Sequence, residues 1–288
     1  MKVRKAVVLA AGWGTRFLPV TKAVPKELLP VVDKPVVHYV MEEIVAAGIT
    51  IIILVTAQGK HAVENYFDRA AELERVLAER NQTDLLRLAQ SPTGLAQISY
   101  VRQREQLGIG HAVLTAEPFV GEEPFALVFP DDIIVGGQGP AIGELVSVYE
   151  QQGGSVVAVE RVPSDQIRRY GIVDVAPLGE RVYRARNLVE KPEPEEAPSD
   201  LGIVGRYVLT PSIFDAIRAT PKGKGGEIQI TDALQRLAHR EGVYACEFTG
   251  ERYDTGTPLG LLKASIALGL QRPDLGKDLR EYLKGLEL

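Results

Sequence analysis

The sequence predicts an α/β protein built on a doubly wound, mixed sheet. Three observations lead there: short runs of continuous apolar and β-branched residues, segments of helical period between them, and strand signals that crowd together in the second half. The strand candidates are residues 6–11, 49–56, 98–102, 125–130 and 155–160. Their unbroken apolar character suits parallel strands covered on both faces. Asp33 and Pro35 read as the cap and first turn of a helix that stops at Gly48. Across residues 60–80, Val63, Tyr66, Phe67, Ala70, Leu73 and Leu77 recur on one helical face. Residues 139–152 and 211–219 carry the same period, and Thr257 followed by Pro258 opens a helix with Leu259, Leu262 and Ile266 along one side. Further strand signals fall at 171–175, 182–188 and 201–209, with a polar, Pro/Glu-rich stretch at 190–200. They predict an antiparallel elaboration set into the same sheet. No repeat or composition break marks a boundary, so one domain over residues 1–288 is expected.

Composition removes several functions. Of 288 residues 45% are hydrophobic and 25% charged, an ordinary globular balance. Lys plus Arg is 33 against 38 Asp plus Glu, a net charge of −5, which argues against a nucleic-acid partner while leaving room for a local cationic pocket. No apolar run reaches the roughly 18 residues of a membrane span. The run at 6–11 is too short for a signal peptide and leads directly into a glycine loop. The single cysteine, Cys246, excludes an internal disulfide and a cysteine-rich zinc site, and it suggests a cytoplasmic setting. His38, His61, His111 and His239 are scattered without metal-ligand spacing. Phe17 stands where a dinucleotide fingerprint needs glycine, and Phe17 with Leu18 breaks a Walker A loop.

The segment after the first strand is more specific: Ala11-Gly12-Trp13-Gly14-Thr15-Arg16-Phe17-Leu18-Pro19, then Thr21-Lys22 and Pro25-Lys26-Glu27-Leu28-Leu29-Pro30. Small residues let backbone N–H groups approach a polyphosphate. Arg16 offers a fork to phosphate oxygens, and Lys22 and Lys26 add point charges. Any one of these cations alone reads equally as part of a solvated loop. Downstream, Asp131 ends a buried strand and Asp254 ends a short one, so both carboxylates are expected at the ligand-binding edge of the sheet. Two such carboxylates suit one Mg²⁺, although Asp before Gly or Thr also serves as a turn or cap. Asp132 reads as a supporting neighbour. The amide of Gln103 both donates and accepts, which matches the imide edge of uracil or thymine.

Together these stretches resemble the signature of the sugar-1-phosphate nucleotidyltransferases, GxGTRxxP…K with PKxxLP. Further similar stretches are Leu107-Gly108-Ile109-Gly110-His111-Ala112, Phe129-Pro130-Asp131-Asp132, Tyr170-Gly171, Glu190-Lys191-Pro192, Gly226-Glu227-Ile228-Gln229-Ile230-Thr231-Asp232 and Tyr253-Asp254-Thr255-Gly256-Thr257-Pro258. The resemblance covers nearly the whole chain. Trp13 departs from it, because the family more often has a smaller residue there.

The resemblance implies a Rossmann-like fold, with a nucleotide-binding part at about 1–135, a sugar-binding part at about 136–257 and C-terminal helices at about 258–288. It implies Mg²⁺-dependent transfer of a uridylyl group from UTP to glucose 1-phosphate. By resemblance, Arg16 and Lys26 attend the triphosphate and Asp131 and Asp254 hold the metal. The nucleotide lies against Ala11, Gly12, Gly14, Thr15, Gln103 and Gly108, while Lys191, Glu190 and Gly171 take the sugar phosphate. The catalytic set is Arg16, Lys26, Asp131 and Lys191. A thymidylyltransferase using dTTP is the alternative within this chemistry, since uracil and thymine differ by one methyl. The helical segment at 60–90 favours UTP, because the resembling thymidylyltransferases are more compact there. A metal-dependent glycosyltransferase would not need the loop from Gly12 to Lys26, and a non-catalytic binding protein would not need the full set of charges. Family members commonly oligomerise, so a homo-oligomer, dimer or tetramer, is expected.

Overall fold

The computed structural model describes residues 1–286. The strands are β1 (Lys5–Leu9), β2 (Pro30–Val31), β3 (Lys34–Pro35), β4 (Ile51–Thr56), β5 (Gln97–Arg102), β6 (Phe125–Val128), β7 (Asp132–Val135), β8 (Ser155–Arg161), β9 (Gly171–Gly179), β10 (Val182–Glu190), β11 (Leu201–Leu209), β12 (Val243–Glu247) and β13 (Glu251–Asp254). The helices are α1 (Val36–Ala46), α2 (His61–Phe67), α3 (Ala71–Glu79), α4 (Thr83–Gln90), α5 (Ile109–Val120), α6 (Ala141–Gln152), α7 (Ser212–Arg218), α8 (Ile230–Ala238), α9 (Pro258–Gln271) and α10 (Gly276–Lys284).

Nine strands form one mixed sheet in the order β5-β4-β1-β6-β11-β8-β12-β10-β9. Strands β5, β4, β1 and β6 run parallel, and β11 turns the sheet antiparallel by pairing with both β6 and β8. The period of two along β1 explains why both faces are covered. Val7 enters the core beneath α5, α7 and α8, while Ala6 and Val8 enter the core on the opposite face with α1 and α6. All nine residues of β11 are buried, as befits a strand in mid-sheet. From β1 the chain moves outward to β4 and β5, then returns to place β6 on the other side of β1. That reversal opens a crevice at the carboxyl ends of β1 and β6, where open α/β sheets take their ligands.

In the second half, β9 pairs with β10 and also touches β11 through Gly202 and Ile172. This closes β11, β8, β12, β10 and β9 on themselves, so the ends of β9 and β10 come round to the crevice. It is the predicted antiparallel elaboration.

Several local expectations are corrected. The segment at 60–80 is not one helix: the backbone at Asp68 is extended and separates α2 from α3, and Leu73 stays half exposed while Val63, Phe67 and Leu77 are buried. Asp33 does not cap α1. Lys34 and Pro35 pair with β2, the helix starts at Val36, and the Asp33 carboxylate instead meets Arg272. Thr257 does cap α9, its side chain accepting from the Gly260 N–H at 3.1 Å. Leu259 and Leu262 on that helix nonetheless face outward. Asp131 stands in the turn after β6 rather than at the strand's end.

Candidate functional site

The glycine loop leaves β1 at Ala10 and Ala11 and immediately turns. Gly14 has φ +69°, and a Cβ there would lie 3.1 Å from both Lys26 Cβ and Thr21 Cγ2, so the loop is packed tightly over the stem of Lys26. Thr21 fixes the turn by donating from its hydroxyl to the Gly14 carbonyl at 2.8 Å. Lys26 passes beside Gly12 and ends on Asp131, Nζ to Oδ2 2.7 Å. Burial works to lower the Lys26 pKa, but Asp131 and then Glu27 outweigh it and hold the ammonium above its usual value. Burial likewise pushes the Asp131 carboxyl up, and Lys26, helped by Arg16, brings it below the usual carboxylate range. Beneath them Lys60 donates to both oxygens of buried Glu27, at 2.7 and 2.8 Å.

Two clefts of about 360 Å³ each flank this pair and share Phe129 and Asp131. Ala11, Gly12, Trp13, Lys26, Gln103 and Gly108 line the first. The Gln103 amide is buried and donates to the Gly108 carbonyl at 3.3 Å, with His111 Nδ1 at 3.1 Å. Gly108 has φ +100°, and a Cβ there would sit 2.8 Å from Glu227 Cβ and 2.9 Å from the Ile228 nitrogen. Only glycine lets the loop before α5 close against the loop before α8. Trp13 stands at the mouth of this cleft, 71% exposed.

Arg16, Asp132, Lys191 and Asp254 line the second cleft. β7 pairs with β13 so that Asp132 lies opposite Asp254. Thr255 donates twice to the Asp131 carbonyl, from its N–H and its hydroxyl, each at 2.8 Å. The two sequence-distant carboxylates are thereby brought side by side. A Cβ on Gly256 would stand 3.0 Å from Asp254 Oδ1 and 3.1 Å from Asp131 Oδ2, so both oxygens border one small notch that glycine leaves open. Asp254 Oδ2 meets Arg169 at 3.2 Å, and an Arg16 nitrogen lies 3.5 Å from the Gly256 carbonyl. Lys191, in the left-handed region at φ +46°, reaches back to Glu190 Oε1 at 2.9 Å. Glu190 Oε2 accepts from the Thr231 hydroxyl at 2.7 Å, and Gly171 packs against both partners. Gly14, Thr15, Gly171 and Glu190 line neither cleft directly, and exposed Lys22 stands apart from both. Among the described residues no group of three or more His, Cys, Asp or Glu side chains is arranged to hold a metal ion.

The nucleotidyl transferase family model matches residues 5–269, which spans both clefts. The chain belongs to the nucleotidyl transferase family. Within this family, a UTP–glucose-1-phosphate uridylyltransferase of Staphylococcus epidermidis is 48% identical over 287 residues, covering 100% of this chain and 99% of the relative. Another, from Bacillus subtilis, is 48% identical over 283 residues, 98% of this chain and 95% of the relative. The UTP-bound UGPase of Acinetobacter baumannii has the same fold, with a TM-score of 0.92 at 41% identity, covering 99% of this chain and 100% of that one. A UDP-glucose pyrophosphorylase complexed with UDP-glucose superposes with a TM-score of 0.84 at 41% identity over 94% of this chain and 100% of that one.

Three residues of the candidate site escape a reading of the sequence. Gln106 lines the first cleft and donates to the Ala11 carbonyl at 2.8 Å. Thr231 holds Glu190. Arg252, partly buried, ties Asp132 Oδ1 at 2.5 Å, Glu160 and the Tyr170 hydroxyl into one group. Burial raises the Asp132 pKa, Arg252 opposes that, and the net shift stays upward with the charge of Asp131 adding to it. Thr231 and Arg252 lie within or beside stretches that resemble the family's, and that adjacency was the available signal.

Proposed function

We propose that the chain transfers a uridylyl group from UTP to glucose 1-phosphate, giving UDP-glucose and pyrophosphate. The observation that carries this reading is the pair of clefts meeting at Asp131, with Lys26 on one side and Lys191 on the other. A phosphate oxygen of the sugar phosphate attacks the α-phosphorus of UTP, a new P–O bond forms, and the bond to pyrophosphate breaks in line. The attacking phosphate is already anionic at neutral pH, so no side chain needs to act as base. The chain's work is positioning and charge stabilisation. Arg16 and Lys26 attend the triphosphate beside the N–H groups of Gly12, Gly14 and Thr15. Lys191 binds the sugar phosphate, and Glu190, fixed by Thr231, accepts from glucose hydroxyls next to Gly171. Gln103, with the backbone of Ala11, Gly12 and Gly108, reads the uracil.

The notch beside Gly256 suits a hard cation, because both carboxylates aim an oxygen at it and each now bears only cationic or N–H partners. Mg²⁺ is the proposed ion, held by Asp131 and Asp254, and when bound it would neutralise phosphate charge. In this reading residues 1–135 hold the nucleotide and 136–257 the sugar, in one domain completed by the helices from 258. Among the described residues no helix is long and apolar enough to cross a membrane. The proposed setting is the cytoplasm, as a homo-oligomer, dimer or tetramer.

The test is pyrophosphate release from each of five nucleoside triphosphates with glucose 1-phosphate and Mg²⁺. UTP is expected to give the highest kcat/KM. Absence of release with all five overturns the reading, and dTTP outrunning UTP replaces it with a thymidylyltransferase.

A further inference from the structure

The largest wholly buried side chain is charged. Arg206 is 0% exposed in the middle of β11. Its Nε and Nη2 donate to the Glu43 carboxylate of α1, with the shortest contact 2.7 Å. The remaining donors go to backbone: Nη1 to the carbonyls of Phe129 at 3.0 Å and Gly205 at 3.1 Å, and Nη2 also to the carbonyl of Asp132 at 2.7 Å. Phe129 and Asp132 bracket the turn that carries Asp131. One planar group therefore grips both ends of that turn from inside the protein, while Thr255 holds the Asp131 carbonyl from the other side.

The local strand geometry is bent to allow this. Between the pairs Ile203–Val159 and Tyr207–Val157, three residues of β11 face the single residue Ala158 of β8. Such a bulge re-aims side chains. Gly205 within it has no room for a Cβ, which would come within 2.7 Å of Phe129 Cβ and 2.8 Å of Asp132 Oδ2. Its N–H donates to Asp132 Oδ2 at 3.2 Å, and its carbonyl accepts from the Phe129 N–H at 2.9 Å. A buried ion pair is a poor way to gain stability, since apolar residues of similar volume commonly serve as well or better. The arrangement has to be explained by what it holds in place.

We infer that Arg206 is a positioning residue for the reaction: held by Glu43 and aimed by the bulge, it fixes the turn that presents Asp131. The inference rests on the role proposed for Asp131. Lysine at this position keeps the charge for Glu43 but cannot reproduce a planar, two-carbonyl grip.

The test is Arg206→Lys, read by steady-state kinetics and by hydrogen–deuterium exchange of the folded protein. Exchange in residues 129–135 should accelerate at least tenfold while β4 is unchanged, and kcat should fall at least tenfold with KM for both substrates within threefold. Wild-type exchange in that segment, or kcat within twofold of wild type, overturns the inference. Should the lysine variant not fold, Glu43→Leu combined with Arg206→Met removes both charges together and leaves the turn without its grip. The same two losses are expected of it. Its failure to fold, or its full activity, would assign Arg206 to the fold alone. If the wild-type protein itself releases no pyrophosphate, the proposed function fails, and the exchange result still decides whether Arg206 sets the turn.

Discussion

The two clefts are of one size but built differently. The first is built around one short stretch folded tightly on itself, a glycine loop over a lysine stem, and its cation is well covered, Lys26 on Asp131 being 19% exposed. The second is assembled from strands far apart in sequence, and its cations are themselves more exposed, Arg169 on Asp254 at 47% and Lys191 on Glu190 at 39%. The difference teaches that the first cleft is preorganised, whereas the second has cations exposed enough for an incoming ligand to recruit.

The sharpest way to break this comparison is at the shared residue. Asp131→Asn, and separately Lys26→Ala, should each lower turnover by about 10²-fold or more, through lost charge stabilisation in a preorganised site. Steady-state rates near wild type in either variant would remove that residue from the proposed chemistry. Lys191→Ala tests the other side. Loss of one charge-assisted contact should raise KM for glucose 1-phosphate by roughly tenfold, with KM for UTP nearly unchanged; an equal rise in both constants would erase the division between the clefts. Gly108→Ala probes the packing of the first cleft. The positive φ and the crowding by Ile228 should cost about 1–3 kcal/mol, seen as a lower Tm together with weaker UTP binding. A Tm equal to wild type would show that the loop tolerates a Cβ. Arg169→Gln should have the smallest effect. Its side chain is 47% exposed and Asp254 30%, so a change in kcat/KM below about threefold is expected, as for other exposed pairs. A larger loss would mean that the second cleft is as preorganised as the first.

The same contrast governs how much was legible beforehand. Gly12, Gly14, Arg16 and Lys26 lie within one short run, so a glycine loop carrying cations could be read along the chain. The alternation of apolar runs and helical periods likewise foretold the parallel half of the sheet. Arg206 gave no local sign, because its partner lies 163 residues away, and Arg252, whose partner lies 120 residues away, gave only its place beside a resembling stretch. An arginine in an otherwise apolar strand looks like a surface residue until the strand is seen in mid-sheet. The short strands β2, β3, β7 and β12 were missed for a related reason: two to five residues are too few for a period to show. The break at Asp68 was hidden because its neighbours continue the helical pattern across it.

Trp13, the chain's one tryptophan, stands at the rim of the first cleft with most of its surface in water. Its indole is therefore a built-in optical reporter. Tryptophan emission from the unmodified protein, excited selectively over the tyrosines, comes from a single place, beside the glycine loop, so a fluorescence titration reads the filling of that cleft without any label. A ligand that enters only the second cleft serves as its blank.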